Sequence, residues 1–215
     1  MGDTVFKALL ALAVAIVAVA CVRKLGSTTT TTVPLETQLR TLATCGIRLL
    51  PERSIDELLM SWPREKYESE AYTLLVSRLG GEVEAEPWGR FFSDRAWHLD
   101  LETIEDRGDY ARVIRRLAKI SNVPLTAIKD HVDLESNQAW VEFDINGKHE
   151  RWTAAVDDDW LDTSILRKFA ELVRKQGSCL LGVLHEDGQT VTLAALTKSE
   201  VDCLQTKTPL RFRSL

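Results

Sequence analysis

The chain has 215 residues, 45% of them hydrophobic and 27% charged, the composition of an ordinary folded globule. From Pro34 onward 24 Lys and Arg stand against 31 Asp and Glu, a net charge of −7. Nucleic-acid affinity comes mostly from neutralising phosphates, so no nucleic-acid partner is expected.

The first element is the apolar run Val5–Val22, interrupted only by Lys7. As a helix these residues would span about 27 Å, slightly under the ~30 Å hydrocarbon core of a bilayer. Three readings fit it. Ala18-Val19-Ala20 supplies the small residues of a signal-peptide cleavage site. Cys21 is the candidate lipid attachment point of a lipoprotein, although Ala18 is smaller than the residue that motif prefers. An uncleaved anchor would use Lys7 at one interface and Arg23-Lys24 at the other. Because Arg23 and Lys24 outweigh Lys7, the expectation leans to a retained single-pass anchor with the domain in the cytoplasm; an exported lipoprotein or secreted protein is the alternative. In each reading the membrane partner is residues 5–22.

Residues 1–25 therefore form an anchor or signal segment and 26–34 a linker, whose threonines Thr28–Thr32 have no periodicity with which to bury a face. The rest, 35–215, reads as a single α+β domain with a helical part over 35–121 and a hairpin–helix part over 122–215. Leu35–Cys45 predicts a short helix ended by Gly46. Ser54-Ile55-Asp56-Glu57 has the capping-box spacing and opens a helix that stops near Pro63. The mostly apolar face Tyr67, Ala71, Leu74, Leu75, Arg78 and Leu79 predicts one longer helix stopped by Gly80-Gly81. Glu82–Asp94 is a loop or irregular strand.

In Ala96–Glu102, Trp97, Leu99 and Leu101 alternate with His98, Asp100 and Glu102, the period of a half-buried strand. Asp109 is the expected cap of the next helix. There Tyr110, Val113, Ile114, Leu117 and Ile120 share one face and Arg112, Arg115, Arg116 and Lys119 the opposite one. Pro124–Leu134 is ambiguous. Asn146-Gly147 marks a two-residue hairpin, pairing Ile145 with Lys148, Glu142 with Arg151 and Asp144 with His149, and gathering Ala139, Val141, Trp152 and Ala154 on the other face. A helix capped at Asp162–Ser164 and ended by Gly177 follows. Cys179–His185 and Gln189–Leu196 form a second hairpin, Thr197–Glu200 is another capping box, and Leu210–Arg213 closes the sheet. The expected architecture is an antiparallel sheet built from two hairpins with its helices on one face.

The strongest candidate for chemistry is His98, Asp100 and Glu102, projecting about 7 Å apart from one strand face. An imidazole and two carboxylates could hold a divalent metal or pair a base with an acid. The polar face of an edge strand is the simpler account. Asp157-Asp158-Asp159 with Asp162 lacks calcium-loop spacing and reads as helix capping. The basic face Arg112, Arg115, Arg116, Lys119 and the aromatics Trp88 and Trp140 are candidate recognition surfaces; Trp97 and Trp152 belong to the core.

Complete motifs are lacking. Gly177–Gly182 has phosphate-loop glycine spacing, but Val183 and Leu184 replace the required Lys and Ser or Thr. Gln189 stands where a zinc-protease motif beginning at His185-Glu186 needs its second histidine. No cofactor or resident metal is expected. The four cysteines do not form a framework, no Cys-x-x-Cys occurs, and whether Cys179 and Cys203 pair is open. The preferred reading is a membrane-tethered, non-enzymatic interaction module with a protein as candidate partner. A metal-assisted hydrolase using His98, Asp100 and Glu102, and a small soluble regulatory or immunity-type protein, are the alternatives.

Overall fold

A computed structural model describes residues 32–215. The apolar run Val5–Val22, Cys21 and nearly all of the linker lie outside them. Among the described residues no helix is long and apolar enough to cross a membrane. The architecture is α+β, with antiparallel strands throughout.

Helix α1 (Leu35–Thr44) ends at Cys45, and Gly46 at φ +90° turns the chain away. Helix α2 (Ile55–Leu59) carries the expected capping box: Glu57 N–H donates to Ser54 Oγ at 3.2 Å and Ser54 N–H to Glu57 Oε2 at 2.8 Å. The single longer helix expected next is instead two, α3 (Arg64–Ser69) and α4 (Thr73–Gly80), with Tyr72 at φ +70° between them. Gln38, fully buried on α1, compensates the break. Its Nε2 donates to the Val33 and Tyr67 carbonyls at 2.7 and 2.9 Å, and its Oε1 accepts from the Tyr72 N–H at 2.7 Å. A side chain from another helix thus satisfies backbone groups that an unbroken helix would have paired internally.

Strand β1 (Ala96–Asp100) precedes α5 (Asp109–Ser121), β2 (Thr126–Asp133), β3 (Gln138–Ile145) and β4 (Lys148–Ala154). Helix α6 (Ser164–Gln176), β5 (Leu180–Glu186), β6 (Thr190–Leu196), α7 (Lys198–Lys207) and β7 (Arg213–Ser214) complete the chain. The ambiguous segment is β2. The first hairpin has the expected register, with Asn146 and Gly147 at φ +50° and +74°, and its solvent face pairs Asp144 with His149 at 2.9 Å and Glu142 with Arg151 at 3.6 Å.

The expectation of one sheet with helices on one face does not hold. Among the described residues there are two sheets, β2-β3-β4 and β1-β6-β5-β7. The reason is legible in β6, where Val191, Leu193, Ala194, Ala195 and Leu196 are all buried; a run apolar on both faces marks a strand covered from both sides. Ala96, Ala194 and Leu196 face a core shared with α1, α4 and α7, whereas Trp97, Leu99, Val191 and Leu193 face one shared with α5, α6 and the three-stranded sheet. Helix α5 touches β1 and β6 on one side and β2 and β3 on the other. It lies between the sheets.

Close approaches fix this layering. A Cβ on Gly80 would stand 2.5 Å from the His98 nitrogen, so α4 lies directly on the backbone of β1. A Cβ on Gly182 would stand 2.5 Å from the Phe212 ring, which makes room for β7 against β5. Cys203 pairs with Cys45, Cα atoms 5.4 Å apart, joining the end of α1 to α7; among the described residues Cys179 is the free cysteine. The open Cys179–Cys203 pairing is thereby excluded.

Asp109 does not cap its helix. Its carboxylate takes the Glu105 and Asp106 N–H groups at 3.0 and 2.8 Å. The free amides at the helix start go to Asp130 of β2, 4% exposed, which accepts from Gly108 N–H with both oxygens at 2.9 Å and from Ala111 N–H at 3.0 Å. The negative carboxylate lies at the positive end of the α5 dipole.

Candidate functional site

His98 and Asp100 share a face of β1 with Ala96, the side on which α4 packs. His98 Nδ1 lies 3.0 Å from Thr192 Oγ1 on the neighbouring strand, and Thr192 Oγ1 lies 3.0 Å from Ser77 Oγ on α4. His185 opposes Thr192 from β5, so imidazole, hydroxyl and imidazole form a row across three strands. Glu102 is not part of it. Strand β1 ends at Asp100, whose Oδ1 accepts the Glu102 N–H at 3.0 Å, while the Glu102 carboxylate accepts from Gln189 Nε2 at 2.9 Å. The expected same-face triad is therefore corrected to a histidine and an aspartate, with the third carboxylate turned into the loop. No group of three or more His, Cys, Asp or Glu able to hold a metal occurs among the described residues.

Burial holds the His98 pKa below its ordinary 6.5, with His185 and Arg78 adding to the effect and Asp187 and Asp100 opposing it. The unfolded chain therefore takes up this proton first. The stability contributed by His98 is present in full above pH 6.5 and is lost as pH falls through the lower folded value. The denaturation midpoint should drop as pH falls below about 6.5, and a His98→Asn variant should flatten that part of the profile. An identical slope in the variant would remove burial of this imidazole as the cause.

Of the aspartate cluster, Asp162 alone bonds to the start of α6, whose N-cap residue is Thr163. Asp162 accepts from the Ala155 N–H, the Ser164 N–H and the Ser164 hydroxyl at 2.8–2.9 Å. Burial alone would raise its pKa, but these bonds and the Lys168 charge bring it below the usual carboxylate value.

The two candidate aromatics fall on different elements. Trp88 is exposed in the loop before β1. Trp140 is half-buried on β3, stacked at 5.8 Å on His131 with the Arg151 guanidinium 3.8 Å over its ring. Of the basic residues, Arg112 pairs with Asp109 at 3.1 Å. Arg116 is not on a solvated face. It is 9% exposed, its NH2 donates to the Ser93 and Ala96 carbonyls at 2.9 Å, and its guanidinium lies 3.4 Å over the Phe91 ring. Burial pushes its pKa down to about 10. The helical wheel places Arg116 with the other cations, but α5 is covered on both sides, so part of its polar stripe is interior.

Arg115 and Lys119 instead open onto a cleft of about 880 Å³ at the carboxyl end of α5. Its wall brings together Arg48 from the segment after α1, Asp94 and Arg95 before β1, Ser178-Cys179 before β5 and Thr197 at the start of α7. Arg95 is paired with Glu200 at 3.0 Å. Arg48, Arg115 and Lys119 make no ion pair among the described residues. Asp94 Oδ1 is buried without a hydrogen-bond donor. The lining holds no imidazole, and burial raises the Cys179 pKa, which keeps the thiol protonated rather than nucleophilic. The arrangement can hold an anion, and its thiol is not activated. Sequence reasoning missed Arg48, Asp94 and Arg95, since no spacing relates residues drawn together from separate loops. Comparisons with known protein families, curated proteins and solved structures gave no match.

Proposed function

We propose that the chain is a membrane-tethered, non-enzymatic binding module whose cleft at the end of α5 receives an anionic ligand. The observation that carries this is the gathering of the unpaired cations Arg48, Arg115 and Lys119 around one concavity in a region with a net charge of −7. Exposed Arg112 and Lys198 have acidic partners on the same surface, whereas among the described residues exposed Arg107, Lys129 and Lys207 stand singly, so it is the gathering in one cleft that distinguishes Arg48, Arg115 and Lys119. The ligand class is an acid whose charge the three cations neutralise. Tethering is supported by the apolar run Val5–Val22 and the threonine linker.

The Cys45–Cys203 bridge supports a domain on the oxidising side of that membrane, because structural disulfides persist in exported proteins and are rare in reducing cytosol. It opposes the cytoplasmic orientation that Arg23-Lys24 favours. An exported lipoprotein or signal-anchored protein accommodates the bridge.

The test is calorimetric titration of the detergent-solubilised full chain with tetraglutamate, a peptide offering carboxylates and amide donors. Binding should weaken as salt rises. It should fall at least tenfold, ~1.4 kcal/mol, in an Arg115→Glu/Lys119→Glu variant with unchanged melting temperature. Equal binding by the variant would refute the cleft as the site.

A further inference from the structure

Leaving Trp62, Trp88 and Met60 in water forgoes the free energy that burying such large apolar side chains would release. Yet they are 47%, 67% and 57% exposed. They come from two segments laced to one another. Arg90 donates to Glu57 Oε1 on α2 at 2.8 Å and to the carbonyls of Ala85, Glu86 and Pro87 at 2.6–3.1 Å, so the loop bearing Trp88 is fixed to the helix that ends just before Met60. Ser61, between Met60 and Trp62, donates to Glu84 at 2.9 Å in the same loop. The three apolar side chains therefore lie at one end of the domain.

The linker joins the domain at that end. Val33 N–H donates to the Glu68 carbonyl at 3.3 Å and Leu35 N–H to the Glu68 carboxylate at 3.1 Å. Glu68 is on α3, a helix of six residues that begins just after Trp62-Pro63, so about 9 Å of helix separates linker attachment from tryptophan. Eleven residues lead from Val22 to Val33. They span at most ~40 Å when extended and roughly 18 Å as a flexible coil. On the tethering reading, a linker of that length limits how far this end of the domain can stand from the membrane.

Most of the cations at this end are paired, and exposed Asp56, Glu65 and Glu86 leave it acidic overall. Arg64 pairs with Glu36 at 2.8 Å and Glu68 at 3.7 Å, Lys66 with Glu70, Arg78 with Glu84 at 2.9 Å and Arg90 with Glu57 at 2.8 Å. Protruding tryptophans suit the headgroup layer of a zwitterionic bilayer, which does not repel an acidic surface and where an amphipathic indole is at its most stable. We propose that Met60, Trp62 and Trp88 form a bilayer-contact face that seats the domain on the membrane carrying its tether. This rests on the tethering reading above and gives the domain a fixed orientation.

The experiment uses the full chain, reconstituted into phosphatidylcholine vesicles with plain acyl chains or with acyl chains brominated near the headgroup. Flotation is read first, then tryptophan emission. The expected result is a floating protein whose emission is lower in brominated than in plain vesicles, with a Trp62→Phe/Trp88→Phe variant that floats equally but loses that difference. A floating protein with no bromine-dependent loss, or the same loss in the variant, overturns the contact face and leaves the tether standing. Failure to float overturns both. A blue shift that depends on protein concentration and not on bromine assigns the patch to a second copy of the chain, which also overturns the proposal.

Discussion

Reducing the Cys45–Cys203 bridge is expected to cost the domain about 2–5 kcal/mol, the upper figure following from the length of chain the bridge closes. The two cysteines are 158 residues apart in sequence, so the cross-link removes a large share of the unfolded chain's freedom. For a domain of this size the loss should lower the melting temperature by roughly 5–20 °C. The measurement is a pair of thermal melts, with and without reductant, in a Cys179→Ser background that prevents thiol exchange. A Cys45→Ser/Cys203→Ser variant should melt where the reduced protein melts. Identical melting of oxidised and reduced protein would remove the bridge as a stabilising element, and with it the argument for an oxidising compartment.

Asp130→Ala should be nearly as damaging, at about 3 kcal/mol, although it removes no apolar surface. The buried carboxylate accepts from two backbone N–H groups at the start of α5. Without it those donors are left buried and unpaired, and a hydrogen bond to a charged group is worth about 1.5–3 kcal/mol. The helix also loses the anion at its positive end. Asp130→Asn should recover part of the loss, because the amide oxygen still accepts while the charge is gone. Chemical denaturation of the three proteins gives the ranking; an alanine variant within 0.5 kcal/mol of the parent would refute the role assigned to Asp130.

Features fixed within a few residues were legible from sequence. Asn146-Gly147 set the hairpin register because a two-residue turn demands positive φ at both positions. Ser54–Glu57 and Thr197–Glu200 marked helix starts because each capping box closes on itself. The misreadings share another cause. Gln38 bridges the break at Tyr72 from another helix, Asp130 caps α5 from the following strand, and Cys45 meets Cys203 across nearly the whole domain. Local periodicity carries no trace of such partners. Arg116 was misplaced because a helical wheel assumes one wet face, and α5 has sheets on both sides. The cleft was half visible: Arg115 and Lys119 share a helix face, but Arg48 and Asp94 reach it only through tertiary folding.

The order in which the chain is made adds a consequence of the core beside α1. Leu35 and Leu42 are buried together with Val201, Leu204 and Leu210, so the first helix of the domain completes its packing only when the last has been synthesised. Strand β1 likewise waits for β6, more than ninety residues later. Such distant pairings are slow to close. A nascent chain missing its final twenty residues lacks α7 and β7, so the core beside α1 stays open until synthesis is nearly complete.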